Sequence, residues 1–84
     1  MKDTLLFLLT QLVDHPDDIL VEEAIDESRI VYTVHSHPDD MGKIIGKSGR
    51  IIRATRDLMK VLGAKHNAYI DVILAEEKSD QSDQ

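Results

Sequence analysis

The sequence contains no cysteine and no tryptophan, and only one phenylalanine, two tyrosines and two prolines in 84 residues. Without thiols, disulfides, thiolate catalysis and zinc–sulfur centres are excluded, which fits a reducing cytoplasm. No apolar stretch approaches the roughly 20 residues that a membrane span needs. The run Leu5-Leu6-Phe7-Leu8-Leu9 behind Lys2 is too short for the apolar core of a signal peptide, and no small-residue cleavage site follows it. A soluble cytoplasmic protein with no membrane contact is expected. The length allows one domain, which buries roughly 60–65% of the surface its unfolded chain exposes. No elaborate catalytic site fits in it, and no cofactor is indicated. The acidic residues scatter through turns and faces, with no carboxylate pair suited to hydrolysis, so an enzyme is not expected.

The net charge of −6 argues superficially against a polyanionic ligand, but its distribution does not. Between positions 41 and 66 lie Lys43, Lys47, Arg50, Arg53, Arg56, Lys60 and Lys65, with Asp57 the only acid. The flanking segments are both acidic. A basic patch on an acidic body attracts phosphate at one place and repels it elsewhere, which favours a limited contact over indiscriminate coating.

Asp3 or Thr4 can cap a first helix, with Leu5, Leu8, Leu9, Leu12 and Val13 following at helical spacing. Leu6 and Phe7 widen its apolar surface, either as core or as a dimer contact. His15-Pro16-Asp17-Asp18 ends it, because the residue before proline disfavours helix. Residues 19–25 make a strand of imperfect alternation, and residues 29–35 a better one, alternating Ile30, Tyr32 and Val34 with Val31, Thr33 and His35. The short polar connection between them predicts an antiparallel hairpin. Pro38, Asp39 and Asp40 start a second, short helix with acids near the positive end of its dipole. A third helix is predicted after Gly49, running to about Leu62, with Gly63 as its stop, and a third strand over 68–74. Residues 77–84, acidic and without core residues, read as a disordered tail, leaving residues 1–76 as a single domain without internal repeat or linker. The order α-β-β-α-α-β predicts a two-layer α+β fold, a three-stranded sheet with helices on one face.

The functional signal lies in Ile44-Ile45-Gly46-Lys47-Ser48-Gly49-Arg50-Ile51-Ile52. Two glycines three apart allow φ > 0 and remove the Cβ atoms that hold a ligand's backbone away. The turn leads into a helix N-terminus, where N–H groups and dipole favour phosphate. Lys47 adds a mobile charge and Ser48 a small hydroxyl. On a helical wheel Arg50, Arg53, Arg56 and Lys60 share one third of the circumference, opposite a broad apolar half. Arg50 and Arg53 lie within a turn of the glycines. A nucleotide-binding P-loop is a decoy here: its first glycine would have to replace Met41, whereas Gly42 is one residue too close. Its preceding element should also be a strand. His35 and His37 near Asp39 and Asp40 have possible metal-ligand spacing, equally explained by polar residues at a strand end.

Apolar-Ile-Gly-x-x-Gly-x-x-Ile resembles the KH signature, and the element order resembles its type II version. With Val13-Asp14-His15-Pro16 and Pro38-Asp39-Asp40-Met41-Gly42-Lys43, residues 1 to about 76 resemble the KhpA-type small bacterial KH family. The resemblance implies an RNA chaperone or post-transcriptional regulator that grips about four nucleotides of single-stranded RNA. It implies homodimers, heterodimers with a larger KH protein of the KhpB (Jag, EloR) type, and a link to cell elongation or division. Carried onto this sequence, Gly46, Lys47, Ser48, Gly49, Lys43, Arg50 and Arg53 hold the sugar–phosphate backbone. Ile45, with Ile44 and Ile52, forms an apolar floor for bases. With no aromatic in the motif, stacking is weak, and about 3 phosphate contacts give a salt slope near −2 on a single strand. Alternatively, the fold serves mainly to dimerise or recruit a partner, with RNA secondary.

Overall fold

The computed structural model describes residues 1–75; the acidic segment 77–84 and the end of the expected domain at residue 76 lie outside the described residues. The chain forms α1 (Lys2–Thr10), β1 (Leu20–Asp26), β2 (Arg29–His35), α2 (Met41–Ile45), α3 (Arg50–Lys65) and β3 (Tyr69–Leu74), with single 3-10 turns at Pro16–Asp18, Pro38–Asp40 and Lys47–Gly49. The sheet has the order β1-β2-β3. β1 pairs antiparallel with β2, Val21 opposite Val34, and β2 pairs parallel with β3, Tyr32 opposite Val72. This is the α+β, type II KH arrangement that the element order implies.

Cross-strand partners share a face, so the register sorts the sheet. Val21, Glu23 and Ile25 of β1 align with Ile30, Tyr32 and Val34 of β2 and with Ile70, Val72 and Leu74 of β3. That face meets Leu5 and Leu9 of α1, Ile44 of α2, and Ile52 and Met59 of α3 in one buried cluster. The irregular alternation of β1 has its cause here. Glu23 stands on the core-side face, where its carboxylate accepts the hydroxyl of buried Tyr32. Burial, then the bond to Glu23 and the charges of Glu23 and Asp3, push the Tyr32 hydroxyl up to about 12.

Two local expectations are corrected. The first helix ends at Thr10 rather than reaching Val13, and begins at Lys2 with Met1 as its cap position. It buries only Leu5 and Leu9, four residues apart, while Phe7 is 62% exposed. Gly63 does not stop α3. The helix runs through it to Lys65, and a Cβ at position 63 would lie 2.7 Å from the Ala68 carbonyl oxygen and 2.8 Å from Ile70 Cγ1. Its role is close approach of α3 to β3. Asp40 does stand at the N-terminal end of α2, as expected, but completely buried.

Candidate nucleic-acid interface

The glycine loop is built from unusual backbone. Gly46 (φ 77°, ψ 171°) ends α2, Ser48 adopts φ 58° and ψ 24°, and Gly49 adopts φ 73° and ψ 18° immediately before α3. Gly46 N–H still reaches the Gly42 carbonyl at 2.8 Å, and Gly49 N–H the Gly46 carbonyl at 3.1 Å. Tight packing fixes the first corner: a Cβ at Gly46 would stand 2.5 Å from Ile51 Cγ1 and 2.8 Å from Ile51 Cβ. The second corner is open, since a Cβ at Gly49 would meet nothing within 4 Å. Lys47 and Ser48 are exposed between them. Gly49 brings no side chain to cap the 16-residue α3; the first N–H of the helix, at Arg50, is instead taken by the Lys47 carbonyl, which leaves the next turn of N–H groups and the positive end of the dipole beside the lysine.

The isoleucines of the motif divide. Ile44 and Ile52 belong to the buried core, leaving Ile45, partly buried, as the one of the three with accessible surface beside the loop. The expected apolar floor is therefore narrower than three residues. The basic stripe also divides. Arg53 and Lys60 are exposed, and Arg56, between them on the same side of α3, is half-buried with its Nε donating to the Val72 carbonyl of β3 at 2.9 Å. That side of α3 faces the sheet edge. Arg50 lies elsewhere: with Leu8, Gln11, Leu12, Ile51, Ala54, Thr55 and Leu58 it lines an apolar groove of ≈ 380 Å³ between α1 and α3. A wheel places the four cations together, but the neighbours of α3 assign them to two surfaces.

Lys43, at the surface, is engaged in ion pairs within the protein. Its ammonium donates to the Asp14 carboxylate and stands 3.8 Å from Asp40 Oδ1. Asp40 in turn accepts the backbone N–H of Asp14 at 3.2 Å and of His15 at 2.9 Å, and faces His15 Nδ1 at 3.0 Å. Burial would raise its carboxyl, but the bonds from Asp14 and His15, backbone and ring, outweigh it and hold the group below the usual carboxylate range. Pairing with Asp14 holds the Lys43 ammonium above its ordinary value. The rings of His15 and His37 stack at 4.1 Å with 12° between planes. His37 Nδ1 accepts the Asp39 N–H, and His35 Nε2 meets Glu22. Among the described residues no group of three or more His, Asp or Glu is arranged to hold a metal ion. The sequence carried a signal for this network: the tetrapeptide His-Pro-Asp-Asp occurs at 15–18 and again at 37–40. Each copy forms a 3-10 turn whose histidine meets the other's.

The chain matches the model of the KhpA/KhpB KH domain over residues 2–74. It is 37% identical over 75 residues to the RNA-binding protein KhpA of Oceanobacillus iheyensis, covering 87% of this chain and 100% of the relative. With the RNA-binding protein KhpA of Clostridium perfringens it shares 39% over 72 residues (86% and 96%), and with that of Chlamydia pneumoniae 35% over 78 residues (93% and 100%). The name these relatives carry denotes a binding protein, not an enzyme. No solved structure matches the chain. With its Gly-Lys-Ser-Gly loop between two helices, its parallel β2–β3 pair and a family match covering nearly all the described residues, the chain belongs to the KhpA/KhpB KH-domain family.

Proposed function

We propose that the protein is a non-catalytic, cytoplasmic RNA-binding module, acting as an RNA chaperone or post-transcriptional regulator. It grips short single-stranded RNA through Gly46, Lys47, Ser48 and Gly49. The observation that carries this reading is the open corner at Gly49, at the start of an α3 that no side chain caps. There a sugar–phosphate chain comes within reach of main-chain N–H groups, with exposed Lys47 alongside. Arg53 continues the path toward the β3 edge, Ile45 offers one apolar contact for a base, and Arg50 flanks the loop on its other side. The names of the relatives support RNA as the ligand. The test is the double substitution Lys47→Asp with Ser48→Asp, both at exposed positions. RNA affinity falls at least tenfold while circular dichroism and melting stay close to wild type. Unchanged binding by a folded double variant rejects the clamp.

A second reading, a subunit that dimerises or joins a larger KH protein of the KhpB type, is favoured by the α1–α3 groove. Leu58, 43% exposed, lines it, and Val61 (66%) and Phe7 (62%) are exposed on the same two helices. Leu58→Asp converts a dimer to a monomer in sedimentation; a wild-type protein monomeric at all concentrations, with or without the KhpB-type partner, removes this reading.

A further inference from the structure

α2 has only five residues, too few to hold a helical conformation by its own hydrogen bonds, yet its end defines Gly46 and hence the loop. Two things hold it. Met41 and Ile44 are buried in the core, and Asp40 stands at its N-terminal end. The Asp40 carboxylate closes onto a segment 25 and 26 residues earlier in the chain, the turn joining α1 to β1, through two backbone N–H groups and the His15 ring. Lys43, one turn along α2 toward Gly46, reaches back to Asp14 and Asp40 and grips the same segment from the other side. His37, stacked on His15, and Asp39, bonded through its N–H to His37, complete the charged and titratable surroundings. Lys47 differs: among the described residues it has no ion pair.

We infer that Asp40 is the positioning residue of the RNA clamp, and that Lys43 is a strut in the same network rather than a phosphate contact. The inference rests on the clamp reading above. A buried carboxylate that binds two N–H groups of a distant turn fixes both the height and the rotation of α2. Gly46 follows α2, and Ser48 and Gly49 follow Gly46. Lys43, held between two carboxylates, adds rigidity at this junction and little free charge. The clamp's electrostatics then belong to Lys47, Arg50 and Arg53, and its geometry to Asp40.

The test measures binding of a fluorescein-labelled mixed-sequence RNA 12-mer across a salt series, below the melting temperature of each variant. Asp40→Asn keeps size and one acceptor but loses the charge and the second acceptor. Its affinity falls about tenfold with the salt slope unchanged, because the same cations still meet the phosphates, and the amide resonances of Gly46 and Gly49 shift. A folded Asp40→Asn protein with wild-type affinity overturns the inference. Lys43→Gln, at an exposed position, serves if Asp40→Asn does not fold. It weakens binding severalfold at constant slope, whereas a slope shallower by about 0.7, the share of one phosphate on a single strand, overturns the strut role. The Lys47→Asp, Ser48→Asp protein on the same RNA separates the two levels. Retained binding there rejects the clamp itself, while lost binding there beside an unaffected Asp40→Asn rejects only the role of Asp40.

Discussion

The two glycines of the loop are alike in sequence and should respond very differently to the same substitution. At Gly46, φ 77° with ψ 171° is a region open almost only to glycine, with strain of roughly 2 kcal/mol for any other residue. Alanine there would also place its Cβ 2.5–2.8 Å from Cγ1 and Cβ of Ile51, and Ile51 Cβ cannot rotate away. Overpacking of this kind costs roughly 2 kcal/mol, making about 4 kcal/mol in all. At Gly49, φ 73° and ψ 18° cost an L-residue roughly 1–2 kcal/mol. The site is sterically open, and a stiffer unfolded chain returns about 0.5 kcal/mol, leaving about 1. Urea unfolding followed by circular dichroism reads the difference. With a slope near 1 kcal/mol per molar for a domain of this size, the midpoint falls by about 1 M for Gly49→Ala and by about 4 M, or to no folded baseline, for Gly46→Ala. RNA binding should fall in Gly49→Ala although the protein stays folded, because the added methyl at position 49 stands where the RNA backbone approaches. Equal midpoints refute the packing argument, and undiminished RNA affinity of Gly49→Ala refutes the open corner as the contact.

Gly63→Ala gains helix propensity of about 1 kcal/mol but meets the Ala68 carbonyl and Ile70, so thermal melting shows net destabilisation of about 1–2 kcal/mol. Leu9→Ala, at a completely buried position of α1, lowers stability by about 3 kcal/mol, read by the same denaturant series. Tyr32, whose hydroxyl is pushed up to about 12, binds its proton more tightly folded than unfolded. Its contribution is complete below pH 10 and is lost at about 1.4 kcal/mol per pH unit between 10 and 12; Tyr32→Phe flattens that loss in alkaline melts. Asp40, held below the usual carboxylate range, acts with the opposite sign. Its contribution is present above that range and disappears as pH falls through the depressed value, so acid unfolding of Asp40→Asn lacks that component.

The sequence made β2 legible to the residue, because both of its faces alternate cleanly from Arg29 to His35, and the helix–loop–helix motif was legible because glycine spacing is a local property. The errors arose where a distant partner decides. Gly63 read as a stop because glycine ends helices, whereas the atoms that require it belong to residues 68 and 70. Leu12 and Val13 continue the apolar period of α1 but lie beyond its end. Arg50 and Arg56 share a wheel sector, yet an apolar groove receives one and a β3 carbonyl the other. Lys43 looked like one more cation near the glycines, and only the fold brings Asp14 to it.

The parallel pairing of β2 with β3 has a consequence for biosynthesis. Everything between those neighbours, from Ser36 to Ala68, is a single crossover, and the loop lies in its first half. Until Tyr69–Leu74 has emerged and docked, α3 has no β3 to lean on and Gly63 no Ile70 side chain to approach. A nascent chain that has exposed its glycines but not this last strand holds the right residues in the wrong shape, so the grip on RNA should become available only as synthesis of the domain finishes.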